Sequence, residues 1–315
     1  MRKIILDCDP GVDDSVAMIM AAKSPELDLL AVTTVCGNGP VDMTYMNARK
    51  VLELVGRRDI PAARGLSKPL FRDAAENRMF HGRDGQAEAY LPEPYPVPDP
   101  PDAVDLIISL ARQYPHDLTI LCTGPMSNLA LAFMKAPDII PLIDEVIALS
   151  GLYGYNGSAI RNATGISPIS EWNVCFDPEA ADVVYRSGVK LTAIGLDAAM
   201  NFDSDFTEED FVRFRDSERK EARFLANAIS FVNSRGYAAR CAVIDCMVVA
   251  YAIDSAVADT VIGHVGVETR GDITLGMTIM DRRSHAVWEH LPVVTVGYRA
   301  NSKLFLDMIR RLILL

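Results

Sequence analysis

The chain has 315 residues, half of them hydrophobic, and a formal net charge of −11 at pH 7. That is enough apolar material for a large buried core, and the acidic balance excludes a surface built to neutralise nucleic-acid phosphates or to lie on anionic lipid. No nucleic-acid or membrane partner is expected; a small neutral or cationic ligand, or a metal ion, fits better.

From Met1 the chain enters the short run Lys3–Leu6, too brief for the apolar core of a signal peptide, and no later apolar stretch reaches the roughly 20 residues that cross a bilayer. Lys3–Leu6, Leu29–Val35, Leu118–Cys122, Glu145–Leu149 and Leu191–Gly195 are apolar without period-2 alternation, as in strands covered on both faces of a parallel sheet. Between them Asp13–Ala22, Val41–Val55, Ala103–Gln113, Asn128–Lys135 and Pro178–Ser187 read as helices, several opened by Asp, Ser or Pro. Leu91–Pro101 is a Pro-rich loop. Glu218–Asn233 and Asp245–Ile253 add helix, Gly263–Asp281 and Ala286–Tyr298 alternate like antiparallel strands, and Lys303–Leu314 is a closing amphipathic helix. The βαβα order predicts one α/β domain over residues 1–315, a doubly wound, Rossmann-like, mostly parallel sheet with an antiparallel C-terminal hairpin. Cys8, Cys36, Cys122, Cys175, Cys241 and Cys246 form no CxxC pair and no zinc-ligand spacing, so free thiols in a reducing, cytoplasmic compartment are expected.

The chemistry is concentrated after the first strand, in Asp7-Cys8-Asp9-Pro10-Gly11-Val12-Asp13-Asp14. Asp7 and Asp9, two apart, share a strand face; the Pro-Gly turn then starts a helix bearing two more carboxylates. Ligands of open α/β sheets bind at the carboxyl ends of the strands. Four carboxylates this close repel one another and stay ionised most easily around a cation, and oxygen-only ligands favour Ca²⁺ or Mg²⁺ over zinc. The bland alternative is that Asp13 and Asp14 cap the helix while Asp7 is a buried hydrogen-bonding group. Asp245, set among Val243, Ile244, Cys246 and Met247, is a second carboxylate that needs a partner. A DxD after a first strand also occurs in haloacid-dehalogenase-like phosphatases, whose first Asp is the nucleophile. Gly11 stands where that family has Thr or Val, and it has no counterpart of the Asp13-Asp14 pair.

The fuller pattern DxDxxxDD resembles the nucleoside hydrolase family, and the similarity runs over nearly the whole chain. It includes Thr33–Asn38, Asn47-Ala48, Asp59–Pro61 through Lys68–Leu70, His81–Gly85, Thr123–Asn128, Glu171–Asn173 with Asp177–Ala180, Gly195–Asp197 and Gly271–Asp281. The resemblance implies a bound Ca²⁺ and hydrolysis of the bond between ribose C1′ and a nitrogen base of a purine or pyrimidine ribonucleoside or related N-riboside. It implies Asp9 as general base, Asp9, Asp14, Asp245 and the Thr123 carbonyl as metal ligands, and Asp7 in support. Asp13, Asn38, Glu171, Asn173 and Asp245 would hold the ribose. It also implies a homodimer or homotetramer.

Two positions depart from the family pattern. Many members place a proton-donating His just before the last metal-binding Asp, where this chain has Ile244; His81 is then the expected donor, against the plainer reading of a solvated loop histidine. Six residues before Glu171, where members often carry an Asn for the ribose 5′-hydroxyl, stands Gly165, with Asn162 out of register; Gly151–Ser170 is expected to cover the 5′ side. These departures leave a non-catalytic nucleoside- or ribose-binding homologue as an alternative.

Overall fold

A computed structural model describes residues 1–74, 78–96, 101–155, 163–285 and 287–315. Its strands are β1 Arg2–Cys8, β2 Leu27–Thr34, β3 Ala62–Arg64, β4 Leu118–Cys122, β5 Ile143–Leu149, β6 Leu191–Ile194, β7 Ala258–Val267, β8 Thr278–Met280 and β9 Val293–Ala300. They form one sheet in the order β3-β2-β1-β4-β5-β6-β9-β7-β8. All pairings from β3 to β9 are parallel, while β7 lies antiparallel between β9 and β8. The expected doubly wound sheet is therefore present. The C-terminal strands differ in detail: β9 starts only at Val293 and joins the parallel sheet through β6, so the antiparallel hairpin proper is β7–β8.

Alternation along β1 builds two cores at once. Ile4, Leu6 and Cys8 enter a cluster with α1 (Val12–Lys23), α2 (Val41–Leu54), α10 (Lys220–Ser234), α11 (Cys246–Ile253) and α12 (Ser302–Leu314). Ile5 faces the other, with α4 (Ala103–Gln113), α5 (Ser127–Lys135) and α7 (Pro178–Arg186). With both faces covered, strand residues need not alternate apolar with polar, which is why the runs were readable as parallel strands. Short elements escape such reading: β3, α3 (Arg78–His81), α6 (Trp172–Phe176), α8 (Leu196–Ala199) and α9 (Glu208–Arg215) are too brief to display a period.

Successive strands leave β1 in opposite directions, toward β2 and toward β4, so the switch point lies between β1 and β4. Crevices open there at the strands' carboxyl ends. Register pairs Asp7 with Cys122 and Cys8 with Thr34, which brings the chain after β1, β2 and β4 to one place. Among the described residues no helix is long and apolar enough to cross a membrane, and all six cysteines are free and buried. Asn162 lies outside the described residues.

Candidate active site

Helix α1 is buried from Val12 to Ala21, including its polar first turn Asp13, Asp14 and Ser15. A buried acidic turn demands partners. Asp14 finds them: Oδ2 accepts from the Gly11 N–H at 3.0 Å and from Asn38 Nδ2 at 3.0 Å, and Oδ1 accepts from Thr123 Oγ1 at 2.8 Å. It thus caps its own helix as the bland reading expected, while Asp13 does not. Asp13 Oδ1 has no hydrogen-bond donor. Asp9 lies one residue beyond β1; its Oδ2 accepts from the Asn38 N–H at 2.7 Å, and Oδ1 is buried without a partner. Asp245 stands at the start of α11 with an equally orphaned Oδ1. Oxygens of Asp13, Asp14 and Asp245 lie within 4.8 Å of one another.

A group of three buried carboxylates this close, with one oxygen each of Asp13 and Asp245 orphaned, is what a hard divalent cation would relieve; the Asp9 Oδ1, orphaned as well, is not part of that group. Burial, then repulsion by Asp14, drives the Asp13 carboxyl up to about 8 and Asp9 well above the ordinary range. Asp245 is raised likewise by burial and by Asp13, Asp14 and Asp9, and Asp14 by burial, against its hydrogen bonds. The donors are all oxygen, so the residues fit Ca²⁺ or Mg²⁺ and not a soft metal.

Asp7 points elsewhere. Its Oδ1 accepts from Thr33 Oγ1 at 2.6 Å and from Asn128 Nδ2 at 2.8 Å, tying β1 to β2 and α5, and burial lifts its carboxyl to about 6. It buttresses the loops behind the site and does not line the cavity. A phosphatase needs this first Asp as an accessible nucleophile, so that reading has no geometry here. Asn128 was quoted only as part of a motif; its role as the clamp joining Asp7 to the Thr34 carbonyl and the Leu66 N–H became visible only in three dimensions.

In front of the carboxylates lies a cavity of about 580 Å³. Asp13, Asn38, Thr123, Glu171, Asn173 and Asp245 supply polar lining, and His81 is also in its wall; Asp9 is not among the lining residues. His81 is buried, not solvated: Nδ1 accepts from the Val12 N–H at 3.1 Å and stands 3.8 Å from Asp13 Oδ1. The proton therefore sits on Nε2, and burial lowers the imidazole to about 3, so it is a neutral N–H donor. Glu171 and Asn173, expected in an irregular stretch, open α6. Glu171 caps it, accepting from the Asn173 N–H at 2.6 Å and the Val174 N–H at 3.0 Å, and burial lifts it to about 7. Asn173 Nδ2 donates to the Thr123 carbonyl at 2.7 Å and the Leu149 carbonyl at 3.3 Å, so Thr123 presents its carbonyl to the site as well as its hydroxyl to Asp14.

Phe80, Leu196, Met200, Tyr237 and Ile244 add an apolar lining that sequence reasoning did not assemble, and Arg240 lines the cavity with them. These side chains come from α3, from α8 with its C-cap Met200, and from the segment before α11; of them the sequence motifs include Leu196, in Gly195–Asp197, and Ile244, beside Asp245. Gly165 is packed against Ser170: its N–H donates to the Ser170 carbonyl at 3.0 Å, and a Cβ would strike Ser170 Oγ.

A family model described as inosine-uridine preferring nucleoside hydrolase matches residues 4–307. The pyrimidine-specific ribonucleoside hydrolase RihA of Photobacterium profundum is 34% identical over 98% of this chain and 97% of its own length. An inosine-uridine preferring nucleoside hydrolase of Leishmania major is 37% identical over 90% of this chain and 88% of its own. Among solved structures, the plant nucleoside hydrolase PpNRh1 superposes with a TM-score of 0.88 at 27% identity, covering 99% of this chain and 98% of that one.

Proposed function

The chain belongs to the inosine-uridine preferring nucleoside hydrolase family and is an N-ribosyl hydrolase, and on that premise we propose that it uses Ca²⁺ to hydrolyse purine or pyrimidine ribonucleosides to ribose and free base. The observation that carries the cation is the set of orphaned oxygens on Asp9, Asp13 and Asp245. Asp9, Asp14, Asp245 and the Thr123 carbonyl would hold it, with Asp13 near enough to share. A bound Ca²⁺ would offset the mutual repulsion of the carboxylates and act as a Lewis acid toward water.

Water attacks ribose C1′ while the C1′–N bond breaks, its electron pair moving onto the base. Asp9 accepts the water proton: its Oδ1 is free, and the Asn38 N–H fixes the other oxygen. Positive charge builds on the sugar ring as it does in other glycosidases, and the surrounding carboxylates and amide oxygens stabilise it without having to reorganise. Asp13, Asn38, Glu171, Asn173 and Asp245, all in the cavity lining, take the ribose hydroxyls. His81 offers its Nε2–H there, which makes it a hydrogen-bond donor rather than a donor of a full proton.

The relatives' names differ between pyrimidine-specific and inosine-uridine preferring, so a base-release assay on a panel of both classes is the direct test. Release abolished by chelator, restored by Ca²⁺ and reduced on the order of 10²–10⁴-fold in Asp9→Ala is the expected result. No release from any ribonucleoside by Ca²⁺-loaded protein would overturn it. The six free, buried thiols favour a reducing, cytoplasmic setting. Homodimer or homotetramer assembly is favoured by exposed Ile262 and Val293, diagonal neighbours on β7 and β9.

A further inference from the structure

The hydrolase reading, on which this inference rests, assigns the polar lining of the cavity to the sugar and the cation, leaving the remaining lining for the departing base. That lining is mostly apolar and includes Arg240. Arg240 lies in the short 3-10 turn Ala239–Ala242, and its carbonyl accepts from the Val243 N–H at 3.1 Å, so the segment that sets Ile244 and Asp245 also sets this guanidinium. Its partner among the described residues is Asp205, at a loose 3.4 Å from Nη1, and its Nε–H is buried with no acceptor. A guanidinium is a rigid fork of five donors. Here one of them is buried and unused, on a residue that lines the cavity.

Bond cleavage creates the acceptor that this donor lacks. The C1′–N electron pair delocalises into the base, onto ring nitrogens and any carbonyl oxygen conjugated with them. Ile244 carries no proton to meet that charge. We propose that Arg240 binds the departing base, donating charge-assisted hydrogen bonds to its developing anion, and selects neutral nucleosides with acceptor-bearing bases over N-ribosides whose base is a cationic pyridinium. No proton leaves Arg240: the water proton goes to Asp9 and is later released, and the base anion takes one from solvent. A cationic base gains no negative charge on leaving and is repelled by the guanidinium before it leaves.

The test compares wild type, Arg240→Gln and Arg240→Lys, all Ca²⁺-loaded, on three probes: the best-cleaved ribonucleoside, p-nitrophenyl β-D-riboside and nicotinamide riboside. p-Nitrophenolate needs little help to depart. Expected for Arg240→Gln is a fall in kcat/KM on the nucleoside on the order of 10²–10³-fold, as for removal of a preorganised donor. The fall should be smallest on the p-nitrophenyl riboside, the ratio of nicotinamide riboside to nucleoside cleavage should rise, and Arg240→Lys should recover part of the nucleoside activity. An equal fall on all three probes would make Arg240 a structural partner of Asp205 and overturn the proposal, as would unchanged nucleoside turnover. Wild type inactive on every probe would overturn the hydrolase reading itself.

Discussion

Replacing Gly11 by Ala removes no reactive group, yet it should disable the site. Gly11 has φ −91° and ψ −155°, a conformation open to alanine, so the backbone raises no objection. Space does: a Cβ there would collide with His81 Nδ1, lie 2.7 Å from His81 Cε1 and 2.8 Å from Asn38 Nδ2. Both neighbours are held. His81 accepts from the Val12 N–H, and Asn38 Nδ2 bridges the Asp9 carbonyl at 3.2 Å and Asp14 Oδ2 at 3.0 Å. Overpacking of this kind costs about 1–3 kcal/mol, and loss of the His81–Val12 bond adds about 1 kcal/mol. Displacing Asn38 moves groups that position both Asp9 and Asp14, and a shift near 1 Å in such groups costs on the order of 10²-fold in rate. Urea unfolding and base-release kinetics on the same Ca²⁺-loaded preparations check both effects. A Gly11→Ala protein with wild-type stability and kcat/KM would refute the packing argument, because the methyl group meets His81 and Asn38, both held by hydrogen bonds.

Chelated protein should lose stability as pH rises. The Asp13 carboxyl is held up to about 8 in the folded chain against an unfolded value near 4, so its contribution is fully present below pH 4 and lost as pH climbs toward 8. Asp9 and Asp245 are shifted in the same direction. Denaturation series of chelated and Ca²⁺-loaded protein between pH 5 and pH 8.5 should therefore diverge with increasing pH, and a gap that shrinks would contradict the account. Asn128→Ala should destabilise by about 1–3 kcal/mol for each buried group left without a partner, since Asp7, the Thr34 carbonyl and the Leu66 N–H all bond to Asn128. The same unfolding assay reads it, and an unchanged midpoint would remove Asn128 from its clamp role.

Much of this molecule is written locally. A strand covered on both faces must be apolar at every position, and a helix between such strands must carry a stripe, so the order of β1, α1, β2, α2 and their successors could be read without tertiary information. The acidic cluster was legible for a related reason: Asp9, Asp13 and Asp14 are close in sequence, and carboxylates beside a buried strand cannot be explained by solvation. Position in the chain does not say which way a side chain turns. Asp7 and Asp9 are two apart, yet β1 ends at Cys8, so Asp7 is clamped by Thr33 and Asn128 while Asp9 turns to the Asn38 N–H. Burial of His81 comes from α3 folding against the start of α1, and Glu171, besides capping α6, accepts from the distant Gly151 N–H. The apolar lining of the cavity, with Arg240 among it, is assembled from the segments around Phe80, Leu196 and Tyr237, which share no periodicity. Periodic patterns record which face of an element is covered; which distant elements close over a ligand is set by the packing of the whole sheet, and that only the tertiary structure decided.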